Sequence, residues 1–187
     1  MIKITTERLI IRDPILTDFE NWHRLLSDPK VMYFPDDIMT HSEDESRKNL
    51  LDAIEEVSKP DREKYFLVAE TKGGSEYVGN IGYTVMSRTP RGKIVEMGYF
   101  ILLEHHNKGY MTEAVTELMR FAFEEDNVYR IETGCYAENY PSERVMQKCG
   151  LIREAYMVEC AWHDGRLKDR VSYRILKHEW KNIRRGC

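Results

Sequence analysis

The 187 residues contain no Cys-x-x-Cys pair, although Cys135, Cys149, Cys160 and Cys187 are present. A zinc ribbon or a dithiol redox motif therefore lacks its ligand spacing, and unpaired thiols in a reducing compartment are the plainer reading. No apolar run approaches the ~20 residues of a membrane span, the longest being Gly98 to Leu103. Residues 1–7 hold no apolar core of signal-peptide length, so the sequence reads as cytoplasmic, with no membrane partner. Nor is there a basic block. Lys and Arg number 28 against 32 Asp and Glu, a net charge of −4, which suits a cationic partner such as an amine and excludes holding nucleic acid by charge. The P-loop pattern and the three-glycine dinucleotide fingerprint are both missing. His105 and His106 are adjacent, so their side chains diverge, and with no third ligand in view no metal is expected. Repeats, low-complexity tracts and long linkers are absent too. At about 150 residues per domain the length predicts one domain over 1–187, and 42% hydrophobic residues supply one core.

What is present is a clear alternation of elements. Glu7 to Arg12 is β-rich and closes at Asp13-Pro14. Thr17 is placed to cap a helix that puts Phe19, Trp22, Leu25 and Leu26 on one face and ends at Asp28-Pro29. Ser42 and Glu45 form a capping box for a second helix through Leu50, Leu51 and Ile54. Between them, residues 31–40 are apolar for a loop and either line a pocket or pack on the sheet. Tyr65 to Glu70, Tyr77 to Met86 and Ile94 to Leu103, separated by Gly73-Gly74 and by Pro90 to Gly92, read as an antiparallel meander. Met111, Ala114, Val115, Leu118, Met119 and Ala122 then mark an amphipathic helix, with Asn127 as its stop. A strand over Arg130 to Ala137, a short helix over Ser142 to Lys148 closed by Gly150, and strands near Ala155 to Trp162 and Lys168 to Leu176 complete the chain. The fold class is α+β, a mixed, mostly antiparallel central sheet with flanking helices, and the mid-chain helix implies one parallel pairing.

The stretch Glu104 to Ala114 joins a strand to the amphipathic helix. Backbone N–H groups at such a junction lack intrahelical partners, and the helix dipole adds positive charge, so the site suits phosphate. Gly109 permits a tight turn there, and Lys108 adds a cation. The plain alternative is that Gly109 only turns the chain and Lys108 faces water.

The run Glu96-Met97-Gly98-Tyr99-Phe100, followed by Asn107-Lys108-Gly109-Tyr110 and Thr112-Glu113-Ala114, resembles the GNAT superfamily of acetyl-CoA-dependent N-acetyltransferases. Thr6-Glu7-Arg8-Leu9 resembles the family's first strand. The pattern Asn139-x-x-Ser142-x-Arg144-Val145-Met146-x-Lys148-x-Gly150-Leu151 resembles its fourth-helix signature. Asp164-Gly165 before a final strand also fits, and the nearest branch is the ribosomal-protein alanine N-acetyltransferases. The family's loop, Gln/Arg-x-x-Gly-x-Gly/Ala, falls on His106, Gly109 and Met111. Met111 replaces a small residue, and the helical stripe predicts that its side chain turns into the core while its N–H stays available.

The resemblance implies an acyl-CoA N-acyltransferase fold and acetyl transfer by direct attack on a primary amine, either a protein N-terminus or a small molecule such as a polyamine or aminoglycoside. It implies acetyl-CoA contacts from Asn107, Lys108, Gly109, Tyr110, Met111 and Thr112, and backbone contacts at Phe100, Ile101 and Leu102, with an amide near Phe100 serving the carbonyl oxygen. Asn139 would hold the pantetheine arm and is also a fair helix N-cap. Glu96 shares a strand face with Ile94, Gly98 and Phe100 and is the candidate general base, its pKa expected to be raised in a partly apolar cleft; the plain alternative is a solvated carboxylate. Ser142 is the candidate acid for the leaving thiolate, with Tyr140 beside it. Cys135 and Cys149 read as core packing. Trp162 is an edge aromatic with a role at an interface as the alternative, and the branch includes homodimers. A non-catalytic acyl-CoA-binding module is the competing reading.

Overall fold

Ile2 and Asp13 hold the start of the chain by an exchange that the sequence pattern did not reveal. The Ile2 N–H donates to Asp13 Oδ2 at 2.6 Å and the Asp13 N–H donates to the Ile2 carbonyl. This closes a short strand β1 (Lys3–Thr5) onto β2 (Leu9–Arg12). The protein is described here by a computed structural model covering residues 1–74 and 76–185. Cys187 lies outside the described residues; Cys135, Cys149 and Cys160 form no disulfide.

The elements run β1, β2, α1 (Phe19–Ser27), α2 (Glu43–Val57), β3 (Lys64–Thr71), β4 (Tyr77–Thr89), β5 (Gly92–Ile101), α3 (Tyr110–Glu124), β6 (Val128–Tyr136), α4 (Tyr140–Lys148), β7 (Ile152–His163), β8 (Arg166–Leu176) and α5 (Lys177–Arg185). The strands form one mixed sheet in the order β1-β2-β3-β4-β5-β6-β8-β7, and the β5–β6 ladder is parallel, as the mid-chain helix requires. Among the described residues, those of 1–84 and 98–118 make one compact unit, and those of 85–97 and 119–185 make the second.

In the first unit, β2, β3 and β4 pair antiparallel. Phe19, Trp22, Leu25 and Leu26 of α1 form the main core with Leu50 and Ala53 of α2, Val68, Tyr77 and Leu102. Within the 31–40 loop, Met32 joins this core, which settles its packing, whereas Tyr33 and Ile38 are exposed. Thr17 does not cap α1. A 3-10 turn over Leu16–Asp18 leads into the helix, and Asp18 accepts the Ile15 N–H and two bonds from Arg12. A carboxylate that satisfies an arginine fork and an amide together outcompetes a hydroxyl at that place. At α2 the expected cap is present: Ser42 accepts from the Glu45 N–H, and Glu45 accepts the His41 N–H.

In the second unit the β5–β6 ladder runs from Lys93↔Val128 to Glu96↔Glu132. Beyond that pair β6 continues along β8 as far as Tyr136↔Arg170. Helix α4 begins at Tyr140, earlier than the sequence pattern placed it, because Asn139 is its N-cap and accepts the Ser142 N–H. Gly150 takes a positive φ past its end. The helix α5, absent from the sequence reading, is anchored by Trp180, which is buried against Phe123 with ring centroids 5.3 Å apart.

Candidate active site

Strand β5 leads into a 3-10 turn, Leu103–His105, and then into the exposed residues 106–109 ahead of α3. Asn107 and Gly109 both take left-handed backbone angles, φ 60° and 79°, so the chain doubles back before the helix begins. The first helical bond runs from the Glu113 N–H to the Gly109 carbonyl. By helix geometry the amides of Tyr110 and Met111 precede it and have no partner within the helix. The Met111 side chain is 5% exposed and lies in the α3 stripe with Ala114, Val115 and Leu118. Its bulk is thus taken up by the core, and the loop keeps an open face at the helix head. Lys108 is exposed on that loop.

Three further side chains brace the loop. Glu113 accepts from Thr6 Oγ1 (2.5 Å), the Arg8 N–H (2.8 Å) and Arg8 Nε (2.7 Å). Arg8 Nη1 donates to the Lys108 carbonyl at 2.9 Å, and its guanidinium lies 4.8 Å from the Tyr110 ring centre. Burial raises the Glu113 pKa, but the bonds from Thr6 and Arg8 outweigh it and hold the carboxyl below the ordinary glutamate value. Thr6, Arg8 and Glu113 lay inside the quoted motifs without a role; only pairing across the fold reveals one.

The backbone of β5 sorts the three strand residues expected to meet a donor. The Leu102 side chain is in the core, its N–H donates to the Val78 carbonyl and its own carbonyl accepts from His105. Its amide is committed to the fold, so Leu102 drops out as an amide donor. The Phe100 carbonyl turns toward β4, where a Cβ on Gly79 would come within 2.1 Å of it. Strand pleating therefore turns the Phe100 amide to β4 as well, and turns the polar groups of Tyr99 and Ile101 to the opposite edge. Consistent with this, the Ile101 carbonyl meets His106 Nε2 at 3.2 Å rather than a β4 amide.

In the second unit Glu96 is exposed, between the buried Val95 and Met97. Its ladder partner Glu132 is engaged by Arg130. At the far end of β6, Cys135 is buried, its Sγ 3.8 Å from the Asn139 carbonyl. Burial pushes this thiol up to about 11, against a smaller opposing effect of a Ser142 hydrogen bond. Asn139 and Ser142 are joined by the N-cap bond at 3.3 Å, and Tyr140 is exposed. Of these residues Tyr140 lines a cleft of about 380 Å³, together with Glu138, Glu143, Arg153, Tyr156 and Asp169. Tyr156 donates to Asp169 at 2.6 Å, and this bond raises the phenol above its ordinary value. Tyr156 and Asp169 belong to strands that sequence periodicity left without a role. Among the described residues no group of three or more His, Cys, Asp or Glu is arranged to hold a metal ion, and no helix is long and apolar enough to cross a membrane.

The family profile described as "Acetyltransferase (GNAT) domain" matches residues 8–152. The chain is 31% identical over 180 residues to "Uncharacterized N-acetyltransferase YnaD" of Bacillus subtilis (strain 168), covering 95% of this chain and 98% of that protein. Its fold is similar to that of spermidine N-acetyltransferase from Vibrio cholerae in complex with CoA and spermine, with TM-score 0.81, 21% identity, and 93% of this chain and 98% of the other covered. It is equally similar to ribosomal-protein-S5-alanine acetyltransferase from Vibrio fischeri, with TM-score 0.81, 18% identity, and coverages of 96% and 99%.

Proposed function

Because the chain belongs to the GNAT acetyltransferase family, we propose that this N-acetyltransferase moves the acetyl group of acetyl-CoA directly to a primary amine. The observation that carries the donor assignment is the exposed loop ending at Gly109, set at the head of α3 with Met111 turned into the core. Amides of the helix's first turn and Lys108 suit a pyrophosphate there. Asn107, Tyr110 and Thr112 line the same turn. The match over residues 8–152 crosses both compact units, which supports one catalytic domain.

In this reading Ile101 presents the β5 amide that Phe100 and Leu102 do not, and it donates to the thioester oxygen as charge develops. Glu96 takes the amine proton through water, consistent with its exposure. The amine nitrogen bonds to the thioester carbonyl carbon, the C–S bond breaks, and Ser142 or Tyr140 supplies the proton to the departing thiolate. Asn139 serves the pantetheine arm in addition to capping α4. An α-amino group, with a pKa of about 7.7–8.0, needs the least help to deprotonate. Both a protein N-terminus and a polyamine fit the family, and the exposed Asp36 and Asp37 beside Tyr33 favour an acceptor with positive charge. We also place the protein in the cytoplasm, in keeping with the absence of a disulfide among the cysteines of the described residues, without nucleic-acid or membrane partners. Exposed Tyr156, Val158 and Trp162 on β7 support a homodimer.

Calorimetric titration with acetyl-CoA, with adenosine diphosphate as control, tests the donor site. Micromolar binding much tighter than the control is expected, and no binding would overturn it. An amine screen read by released thiol then compares wild type with Glu96→Gln. The variant is expected to bind acetyl-CoA normally and to lose most of its turnover. Unchanged turnover would remove Glu96 as the base, and absence of turnover with every amine would favour a non-catalytic acyl-CoA-binding module.

A further inference from the structure

Two of the four residues from Asn107 to Tyr110 adopt left-handed angles, and residues 106–109 are exposed. Exposed loops with few buried contacts open readily, whereas a phosphate cradle works best when its amides are already aligned. Something must therefore hold this loop. We propose that Arg8 and Glu113 form a clamp that fixes the loop backbone, a positioning role that rests on the donor site read above and involves no contact with the reacting atoms.

The geometry of the pair carries the assignment. Glu113 binds both Nε and the backbone N–H of Arg8, while Nη1 of the same guanidinium takes the Lys108 carbonyl. The guanidinium plane meets the Tyr110 ring, and Tyr110 in turn packs edge-on against buried His105, centroids 5.8 Å apart. One arginine thus grips the residue before Gly109 and the residue after it. A Cβ on Gly109 would stand 3.4 Å from Arg8 Nη2, so the guanidinium packs directly over the turn. Thr6 completes the set from the turn between β1 and β2.

Charge gives the clamp a second effect. Glu113 sits in the first turn of α3, and a bare carboxylate there would oppose an anionic ligand at the helix head. Arg8 neutralises it. The Arg8 side chain is 44% exposed, and ion pairs so exposed add little to global stability. The expected consequence of breaking this one is local. Lysine at position 8 retains the charge but lacks the planar fork that serves Glu113 and the Lys108 carbonyl together.

The test compares wild type, Arg8→Lys and Glu113→Gln by acetyl-CoA calorimetry, by hydrogen exchange of the amides of residues 106–112, and by melting temperature. Both variants are expected to bind acetyl-CoA about tenfold more weakly, the scale of one lost charge-assisted bond. Faster exchange should be confined to those amides, with the melting temperature unchanged. If wild type binds acetyl-CoA and both variants bind equally well, the clamp has no role in the donor site. Unchanged exchange would overturn it too. Faster exchange across the whole chain with a lower melting temperature would make the pair a general structural contact instead. Absence of binding by wild type would fail the donor reading itself.

Discussion

The ammonium of Lys168 lies 2.9 Å from Glu138 Oε2, and its side chain is 2% exposed whereas that of Glu138 is 43% exposed. The pair is therefore asymmetric. Glu138, also bridged by Arg166 at 2.6 Å, immediately precedes Asn139, so Lys168 on β8 ties down the loop that caps α4. The hydrogen bond from Lys168 is the main cause holding the Glu138 carboxyl below its ordinary value.

Removing the exposed partner should harm the fold more than removing the buried one. Glu138→Gln takes the Glu138 charge away from a buried ammonium, while Lys168→Met leaves a carboxylate that water can reach. The melting temperature is expected to fall by roughly 5 °C or more in Glu138→Gln and by less in Lys168→Met. Equal losses would show that burial does not decide the energetics of this pair.

Cys135 is buried and its thiol is pushed up to about 11, so thiolate is scarce near neutrality and the residue is unsuited to nucleophilic attack. Cys135→Ala should keep acetyl transfer within a few-fold of wild type, with no acylated protein detected by mass after incubation with acetyl-CoA. At pH 8 a thiol reagent should modify exposed Cys160 quickly and reach Cys135 only on unfolding. An acyl group found on Cys135 would refute direct attack.

Glu113 gives the pH dependence a definite sign. Its folded pKa lies below the unfolded one, so its contribution is complete above the unfolded value of about 4.3 and fades as pH falls through the folded value. Because that contribution is local to the loop, protection of the 106–112 amides in wild type should fall below about pH 4, and Glu113→Gln should show no such acid limb. A variant with the same acid limb as wild type would show that Glu113 does not couple folding to protons.

Local order was largely legible from residue types. The stripe from Met111 to Ala122 made α3, Gly109 marked the turn at the head of that helix, and Ser42 and Glu45 made the start of α2, because each depends on neighbours within a few positions. The elements that were missed depend on distant partners. Strand β1 exists through the exchange of Ile2 with Asp13, and α5 through Trp180 on Phe123. At the site, the motifs carried the family and the donor loop, but not which β5 amides are spent within the sheet, nor that Glu96 is exposed.

By itself, then, the sequence determined the α+β alternation, the helix head that suits phosphate, and the membership of the chain in an acetyltransferase family, since periodicity, caps and motif spacing are properties of short stretches. Only the tertiary structure decided that the Leu102 amide is spent on the Val78 carbonyl, that Met111 points inward, and that Arg8 meets Glu113. Those outcomes follow from which buried groups find partners, and residues 105 positions apart acquire a shared hydrogen bond only when the chain has folded.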